Sequence, residues 1–183
     1  MTNLELRSII ADLAVRQAET DRQLKETDRQ LKKYIQELGK QIGGLGEKFG
    51  GFTEGMAFPS MKKILQERFG MNVVSPNVSV RKNGRSMELD VLALSNADIN
   101  EIYVVEVKSH LKEDGLEQML TILRDFRYFF PDHDDKKVYG ILAAVHIPQA
   151  IRERVLRAGI YLACIHDDNF QLAVPEGFQP RAF

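Results

Sequence analysis

The chain has 183 residues, of which 44% are hydrophobic and 28% are charged, which is typical of a globular protein with one core domain of roughly 130 residues. Its net charge of −1 and its single cysteine, Cys164, argue against a broad basic nucleic-acid-binding surface and against a disulfide framework. No apolar run approaches the length of a membrane span and the polar amino terminus carries no secretory signal, so we expect a cytoplasmic protein.

Residues 1–52 predict a helical stalk. Thr-Asp-Arg-Gln-Leu-Lys-Glu (20–26) is repeated almost unchanged as Thr-Asp-Arg-Gln-Leu-Lys-Lys (27–33), a repeat of seven residues. One seam position holds Leu24, Leu31, Leu38 and Leu45, and the other holds Ile35, Ile42 and Phe49. Alternating spacings of three and four favour a coiled coil, so we expect a homo-oligomer, most simply a dimer. The alternative is a single amphipathic helix folded back onto the domain.

Two features weaken the stalk locally. Asp21 and Asp28 occupy the second seam position, where charged side chains pack poorly. Glycines accumulate toward the end of the stalk and lower its helix propensity: Gly39, Gly43, Gly44, Gly46, Gly50 and Gly51. We therefore expect a flexible or specially packed junction ahead of the second domain.

The second domain, residues 53–183, begins with a predicted helix and a β-hairpin. Residues 60–68 favour helix, and residues 72–81 favour a strand in which Pro76 indicates an edge or a bulge. Asn83-Gly84 is a strong hairpin-turn signal that leads into the next strand.

Two further predicted strands carry charged residues among aliphatic ones. They are Ser-Met-Glu-Leu-Asp-Val-Leu-Ala-Leu (86–94) and Glu-Ile-Tyr-Val-Val-Glu-Val-Lys-Ser (101–109), joined by a polar connector. Because side chains alternate across a strand, Glu106 and Lys108 project to one face, and Asp90 can stand beside them if the strands pair. Buried charges of this kind usually pair with one another or bind a metal.

The remaining sequence alternates between helix and strand. Residues 113–130 carry leucines at helical spacing and predict a helix that Pro131 ends. Residues 137–145 predict a buried strand. A short helix is predicted over residues 148–159 and a last strand over residues 160–165. This alternation predicts an α/β fold with a mixed sheet.

Within this order of elements, the arrangement of Asp90, Glu106 and Lys108 resembles the motif of the PD-(D/E)xK phosphodiesterase superfamily. This superfamily includes restriction endonucleases, Holliday-junction resolvases and RecB-like nucleases. The acid-x-Lys half of the motif is intact as Glu106-Val107-Lys108, whereas Asp90 follows Leu89 instead of a proline. The resemblance covers roughly residues 53–165. It implies a restriction-endonuclease-like αβββαβ core with a mixed central sheet, as in small prokaryotic members that carry an amino-terminal coiled coil.

The resemblance also implies a metal-dependent nuclease that hydrolyses DNA, with RNA left open as a substrate. Asp90, Glu106 and the carbonyl of Val107 would bind Mg²⁺ or Mn²⁺, which prefer oxygen ligands. Lys108 would orient the attacking water or stabilise the charge that develops on the phosphate.

Two more residues are candidates for the same site. Glu54, in a Gly-x-x-Glu sequence ahead of an apolar helix, resembles the first-helix acid of resolvases, and Glu67 is its competitor. At about 100° per residue the two would face opposite sides of a continuous helix, unless Pro59 kinks or restarts it. Gln118 resembles a glutamine that several RecB-like members carry after the lysine strand.

A second hypothesis is a catalytically inactive, nuclease-like module that binds nucleic acid or a protein partner. The stalk has nine basic and eight acidic residues, whereas residues 53–183 have sixteen basic and eighteen acidic residues. The acidic balance of the second domain favours this hypothesis, and the intact Asp90, Glu106 and Lys108 set favours the enzyme.

Overall fold

The computed structural model describes residues 3–95, 99–167 and 169–183, and for residues 3–11, 14, 42, 43 and 45–47 it describes the backbone alone. The chain divides into two compact units, Met1–Glu47 and Lys48–Phe183, whereas the sequence placed the boundary between residues 52 and 53. Part of the polar connector, residues 96–98, lies outside the described residues. No helix within the described ranges combines the length and hydropathy that a membrane span requires.

Helix α1 spans Asn3–Glu67, and its amino-terminal part forms the first unit. Seam residues of the heptad pattern are exposed: Leu24 at 62%, Leu31 at 55%, Ile35 at 60% and Leu38 at 55%. The side chains of Ile42 and Leu45 lie outside the described ones. Apolar residues exposed at heptad spacing suit a partner helix, and the coiled coil itself stays a prediction.

The second unit has the predicted α/β class and order of elements: the end of α1, three strands, a helix and a strand. The strands are β1 Val73–Lys82, β2 Arg85–Leu94, β3 Glu101–His110, β4 Lys137–His146, β5 Tyr161–His166 and β6 Asn169–Leu172. The other helices are α2 Glu113–Phe129, α3 Gln149–Arg157 and a short 3-10 helix, Pro131–His133. Strand β6 was not predicted from the sequence.

The six strands form one mixed sheet in the order β1-β2-β3-β4-β5-β6. Strands β1, β2 and β3 pair antiparallel, β3, β4 and β5 pair parallel, and β6 is antiparallel to β5. Asn83 (φ 50°) and Gly84 (φ 78°) both have positive φ, as the tight β1–β2 hairpin requires.

A hydrophobic core lies on each face of the sheet. On one face α2 buries Met119 and Phe126 against residues such as Val104. On the other face the end of α1 buries Met61 and Leu65 among residues that include Val91, Val105 and Val107. Helix α1 continues through Pro59, so its last turns cross the sheet face as one helix. The sheet therefore holds the β2–β3 region between α1 and α2.

Candidate active site

The candidate site lies where strands β2 and β3 separate. The two strands pair only from Val91–Val105 to Leu94–Ile102. Beyond that point, the earlier part of β2 continues to pair with β1, and the later part of β3 continues to pair with β4. Asp90 and Glu106 are the first residues past the last β2–β3 pair, so both acids stand at the opening between the strands.

Asp90 is held at this opening by the backbone of β3. Its Oδ2 accepts a hydrogen bond of 2.6 Å from the backbone N–H of Val107. The alternation of side chains between the two faces of β2 is interrupted here. Leu89 and Leu92, three residues apart, both pack in the core on the α2 side, whereas Val91 packs in the core on the α1 side. The half-buried carboxylate of Asp90 thus replaces a ladder contact between the two strands.

Glu106 is the most deeply buried member of the site, with 2% of its side chain exposed. Its Oε2 accepts hydrogen bonds of 3.2 Å from Nζ of Lys108 and of 3.2 Å from Nε2 of Gln118. The same carboxylate oxygen therefore joins β3 to α2. Three residues predicted from the sequence lie together here.

Lys108 packs against the first turn of α2, where Gly115 is buried. A Cβ atom at Gly115 would lie 3.8 Å from Cγ of Lys108 and 2.9 Å from Cδ1 of Leu111. The missing side chain of Gly115 therefore lets α2 approach β3 closely. This glycine was not predicted from the sequence as a site residue, and its position within a helical pattern was the available signal.

The structure places Glu54, and not Glu67, near this group. The half-buried Glu54 is close enough to Asp90 and Lys108 for their charges to affect its pKa. Glu54 and Asp90 line a cavity of about 280 Å³, whereas Glu67 lines a different cavity together with Lys63. The arrangement favours Glu54 as the first-helix acid, and its role stays a prediction.

All three acids have raised pKa values. Burial raises the pKa of Glu106 to about 7, with a further contribution from the negative charge of Asp90. Burial is also the main cause of the raised pKa of Asp90. For Glu54 the pKa is raised by burial and then by repulsion from Asp90. The positive charge of Lys108 offsets only part of these effects, so a further cation would stabilise the ionised acids.

The donor set fits a divalent ion that keeps much of its water. Asp90 and Glu106 supply two carboxylates from adjacent strands, and the resemblance adds the backbone carbonyl of Val107, whose N–H donates to Asp90. No group of three or more acidic, histidine or cysteine side chains within the described residues is close enough to form a complete ligand set. Mg²⁺ normally takes only one or two protein carboxylates, so this smaller set matches its chemistry.

Asn77, which the sequence analysis did not select, lies opposite Asp90. The β1–β2 ladder pairs Pro76 with Val91 and Val78 with Leu89, and it skips the pair that Asn77 and Asp90 would make. Asn77 has a left-handed φ of 51°. The Pro76-Asn77 sequence inside a predicted strand was the signal for such a local distortion.

Two histidines meet next to the site at the carboxyl ends of β3 and β4. His110 and His146 are register partners, and their rings stack with centroids 4.5 Å apart. His110 lies two residues beyond Lys108 on β3, and His146 lies two residues beyond Ala144 on β4.

Comparisons with known proteins give a partial match to one family model and several distant structures. The model of a family described as "Protein of unknown function (DUF3782)" matches residues 11–85, which is less than half of the chain. No curated protein matches the sequence.

Solved structures that are similar to part of the chain include the following three. Can2 from Sulfobacillus thermosulfidooxidans, in complex with cyclic tetra-adenylate, is 24% identical, with a TM-score of 0.44 over 62% of this chain and 31% of that chain. A repair endonuclease from Pyrococcus abyssi is 18% identical, with a TM-score of 0.39 over 59% of this chain and 46% of that chain. EndoMS in its dsDNA2 complex is 17% identical, with a TM-score of 0.39 over 61% of this chain and 45% of that chain.

The matched segments make up less than half of each of these three proteins. Nuclease-like proteins are therefore among the distant structural neighbours. Each of the three TM-scores is below 0.5.

Proposed function

We propose that the protein is a metal-dependent nuclease of the PD-(D/E)xK type that hydrolyses phosphodiester bonds in DNA. The observation that supports this most is the assembly of Asp90, Glu106, Lys108 and Gln118 at the opening between β2 and β3. Residues from two strands and one helix, separated in sequence, converge on one small polar site within an apolar sheet. Such convergence is what hydrolytic chemistry requires.

Each residue has a distinct task in this proposal. Asp90 and Glu106, with the carbonyl of Val107, hold Mg²⁺ or Mn²⁺, which when bound polarises the phosphate and lowers the pKa of water. Lys108 donates hydrogen bonds toward the reacting phosphate and balances its developing negative charge. Gln118 orients Glu106 through their hydrogen bond of 3.2 Å. Glu54 holds water on the α1 side of the cavity.

The nuclease acts as a dimer in this proposal, joined through the heptad segment of α1. The support is the seven-residue repeat together with the exposure of Leu24, Leu31 and Leu38. Sedimentation equilibrium of the full chain tests it: Leu31→Lys should give a monomer, whereas Gln30→Lys, outside the seam, should stay dimeric. Equal masses for the two variants would contradict the dimer seam.

Cleavage assays test the activity. The wild type is incubated with labelled duplex, single-stranded and branched DNA and with RNA, in Mg²⁺ or Mn²⁺ and in EDTA. We expect metal-dependent products from DNA, lost in Glu106→Gln and retained in Glu117→Gln. Glu117 is an exposed acid next to Gln118, so the same change there is a matched control. If RNA alone gave products, RNA would replace DNA as the proposed substrate.

The second candidate is the inactive module that binds nucleic acid or a protein partner. Two cations near the β1–β2 hairpin are engaged within the protein: Lys82 binds the carbonyl oxygen of Tyr128 and Arg85 pairs with Asp125. They offer less to a phosphate backbone than free cations would, which favours a protein partner over nucleic acid for this module. Binding of labelled DNA without cleavage, unchanged in Glu106→Gln, would favour this candidate over the enzyme.

A further inference from the structure

Asn77 has an unusual backbone conformation in the middle of a strand. Among the described residues other than glycine, positive φ occurs at Asn77, Asn83 and Asp167. Asn83 lies in the β1–β2 hairpin turn and Asp167 in the turn between β5 and β6, where tight connections account for the conformation. No turn accounts for it at Asn77. An unfavourable conformation inside a regular element points to a local role.

The position of Asn77 relates it directly to the candidate site. It stands opposite Asp90, at the one step that the β1–β2 ladder skips between Pro76–Val91 and Val78–Leu89. The skipped pair leaves Asp90 free of the β1 ladder on one side, while its carboxylate accepts the hydrogen bond from Val107 on the other. The distortion at Asn77 therefore coincides with the residue that begins the opening between β2 and β3.

Asn77 also lines the space that a substrate would enter. Asn77, Glu54 and Asp90 together line two cavities, one of about 280 Å³ and one of about 330 Å³. The first cavity is otherwise lined by Gly51, Gly55, Phe58, Pro76, Val91 and Val107. Of the described residues that line it, Asn77 alone has a side-chain N–H or O–H to donate.

The exposed amide of Asn77 makes no hydrogen bond with the side chains and backbone that the structure describes. A phosphate that approaches Asp90 and Glu54 meets negative charge on this side of the site, and Lys108 lies on β3. A neutral amide supplies a hydrogen-bond donor there without adding a charge that would compete with the metal. Asparagine also tolerates the left-handed conformation better than most residues, so one residue satisfies both requirements.

We propose that Asn77 is a substrate-binding residue whose side-chain amide donates a hydrogen bond to a non-bridging phosphate oxygen of the nucleic acid strand, in the cavity between α1 and the opening of the sheet. This inference rests on the proposed nuclease function and adds a contact to it. It assigns the β1 side of the site to the phosphate backbone and the β3 side to Lys108.

The decisive variants separate the amide from the backbone conformation. Asn77→Gly keeps the left-handed conformation, since glycine adopts it freely, and removes only the amide. We expect a KM for DNA raised about 10-fold, which is the effect of losing one hydrogen bond to a charged group, with kcat changed less and the thermal midpoint retained. Asn83→Gly makes the same substitution at a positive φ in the hairpin turn and should leave both constants unchanged.

Asn77→Asp distinguishes a phosphate donor from a metal ligand. Aspartate also tolerates the left-handed region, but its carboxylate repels a phosphate and would strengthen metal binding. We expect a larger rise in KM than in Asn77→Gly and undiminished affinity for Mn²⁺. Improved cleavage by Asn77→Asp would overturn the proposal in favour of a metal ligand.

Two further outcomes of the cleavage assays decide between the role of Asn77 and the nuclease activity itself. If the wild type cleaves DNA and Asn77→Gly matches it in KM and kcat, the amide has no role in binding, while the nuclease proposal stands. If the wild type cleaves no substrate with either metal, both proposals fail together.

Discussion

The backbone N–H of Val107 donates a hydrogen bond of 2.6 Å to Oδ2 of Asp90, and this contact joins β2 to β3 where their ladder has ended. Val107 is buried, with 5% of its surface exposed. The contact fixes the position of one proposed metal ligand by means of the backbone of another. The same hydrogen bond therefore both joins the two strands and positions Asp90 in the candidate site.

The first prediction separates the structural from the chemical role of Asp90. An asparagine retains an oxygen acceptor for the N–H of Val107, whereas an alanine leaves that buried donor unpaired. We expect Asp90→Ala to be less stable than Asp90→Asn by about 1–3 kcal/mol, the cost of an unsatisfied buried polar group. Urea denaturation at pH 7 without metal measures the difference. Equal unfolding free energies would show that the hydrogen bond does not hold β2 and β3 together.

The second prediction concerns pH. Glu106 has a pKa raised to about 7 in the folded protein from an unfolded value of 4.5. The folded state therefore binds the proton more tightly, so this contribution to stability is complete below pH 4.5 and is lost as pH rises toward 7 and beyond. The loss is on the order of 3 kcal/mol for a shift of this size.

Chemical denaturation across this range should show wild-type stability decreasing with pH, and Glu106→Gln should flatten the slope. Mg²⁺ should raise the thermal midpoint more at pH 8 than at pH 5, because it binds the ionised acids. A pH profile that is identical in Glu106→Gln would assign the titration to another group.

The third prediction concerns Lys108, whose Nζ lies 3.2 Å from Oε2 of Glu106. Lys108→Met retains the aliphatic packing against Gly115 and removes the charge. We expect single-turnover cleavage to fall about 100-fold, as when a preorganised donor to a transition state is removed, with Mn²⁺ affinity retained. Loss of Mn²⁺ binding in parallel with cleavage would instead make Lys108 a support for the metal site.

The fourth prediction uses two glycines of α1. A Cβ atom at Gly55 or at Gly39 would meet no atom within 4 Å, and Gly55 lines the cavity beside Glu54 whereas Gly39 lies in the first unit. Alanine should stabilise the helix by about 0.5–1 kcal/mol at either position. We expect Gly55→Ala to lower cleavage by occupying substrate space and Gly39→Ala to leave it unchanged.

Thermal unfolding and KM for DNA, measured on both variants, check this pair. Equal KM values in the two variants would mean that no substrate approaches the helix at Gly55.

The sequence predicted the elements whose signals are local. Period-two alternation placed Glu106 and Lys108 on one face of β3, and the structure joins them by an ion pair. Gln118 was selected because it resembles a glutamine of RecB-like nucleases, and in the structure it donates a hydrogen bond to Glu106. Glu54 was selected over Glu67, and the structure places Glu54 near Asp90.

The features that sequence reasoning missed arise from contacts between distant segments. Pro76 indicated an edge or a bulge in β1, but the position of Asn77 opposite Asp90 depends on how β1 and β2 pair. Gly115 matters because α2 approaches Lys108, a relation that depends on packing. Strand β6 contains only Asn169–Leu172, too short for a reliable period.

The most direct test of the central claim is calorimetric titration of Mn²⁺ into the wild type, Asp90→Asn and the control Glu117→Gln, each with and without a DNA oligonucleotide. The predicted result is saturable binding by the wild type and Glu117→Gln, absent in Asp90→Asn although its circular dichroism is unchanged. Binding of Mn²⁺ that is equal in all three proteins, or no binding by the wild type even with DNA present, would contradict a metal site between β2 and β3.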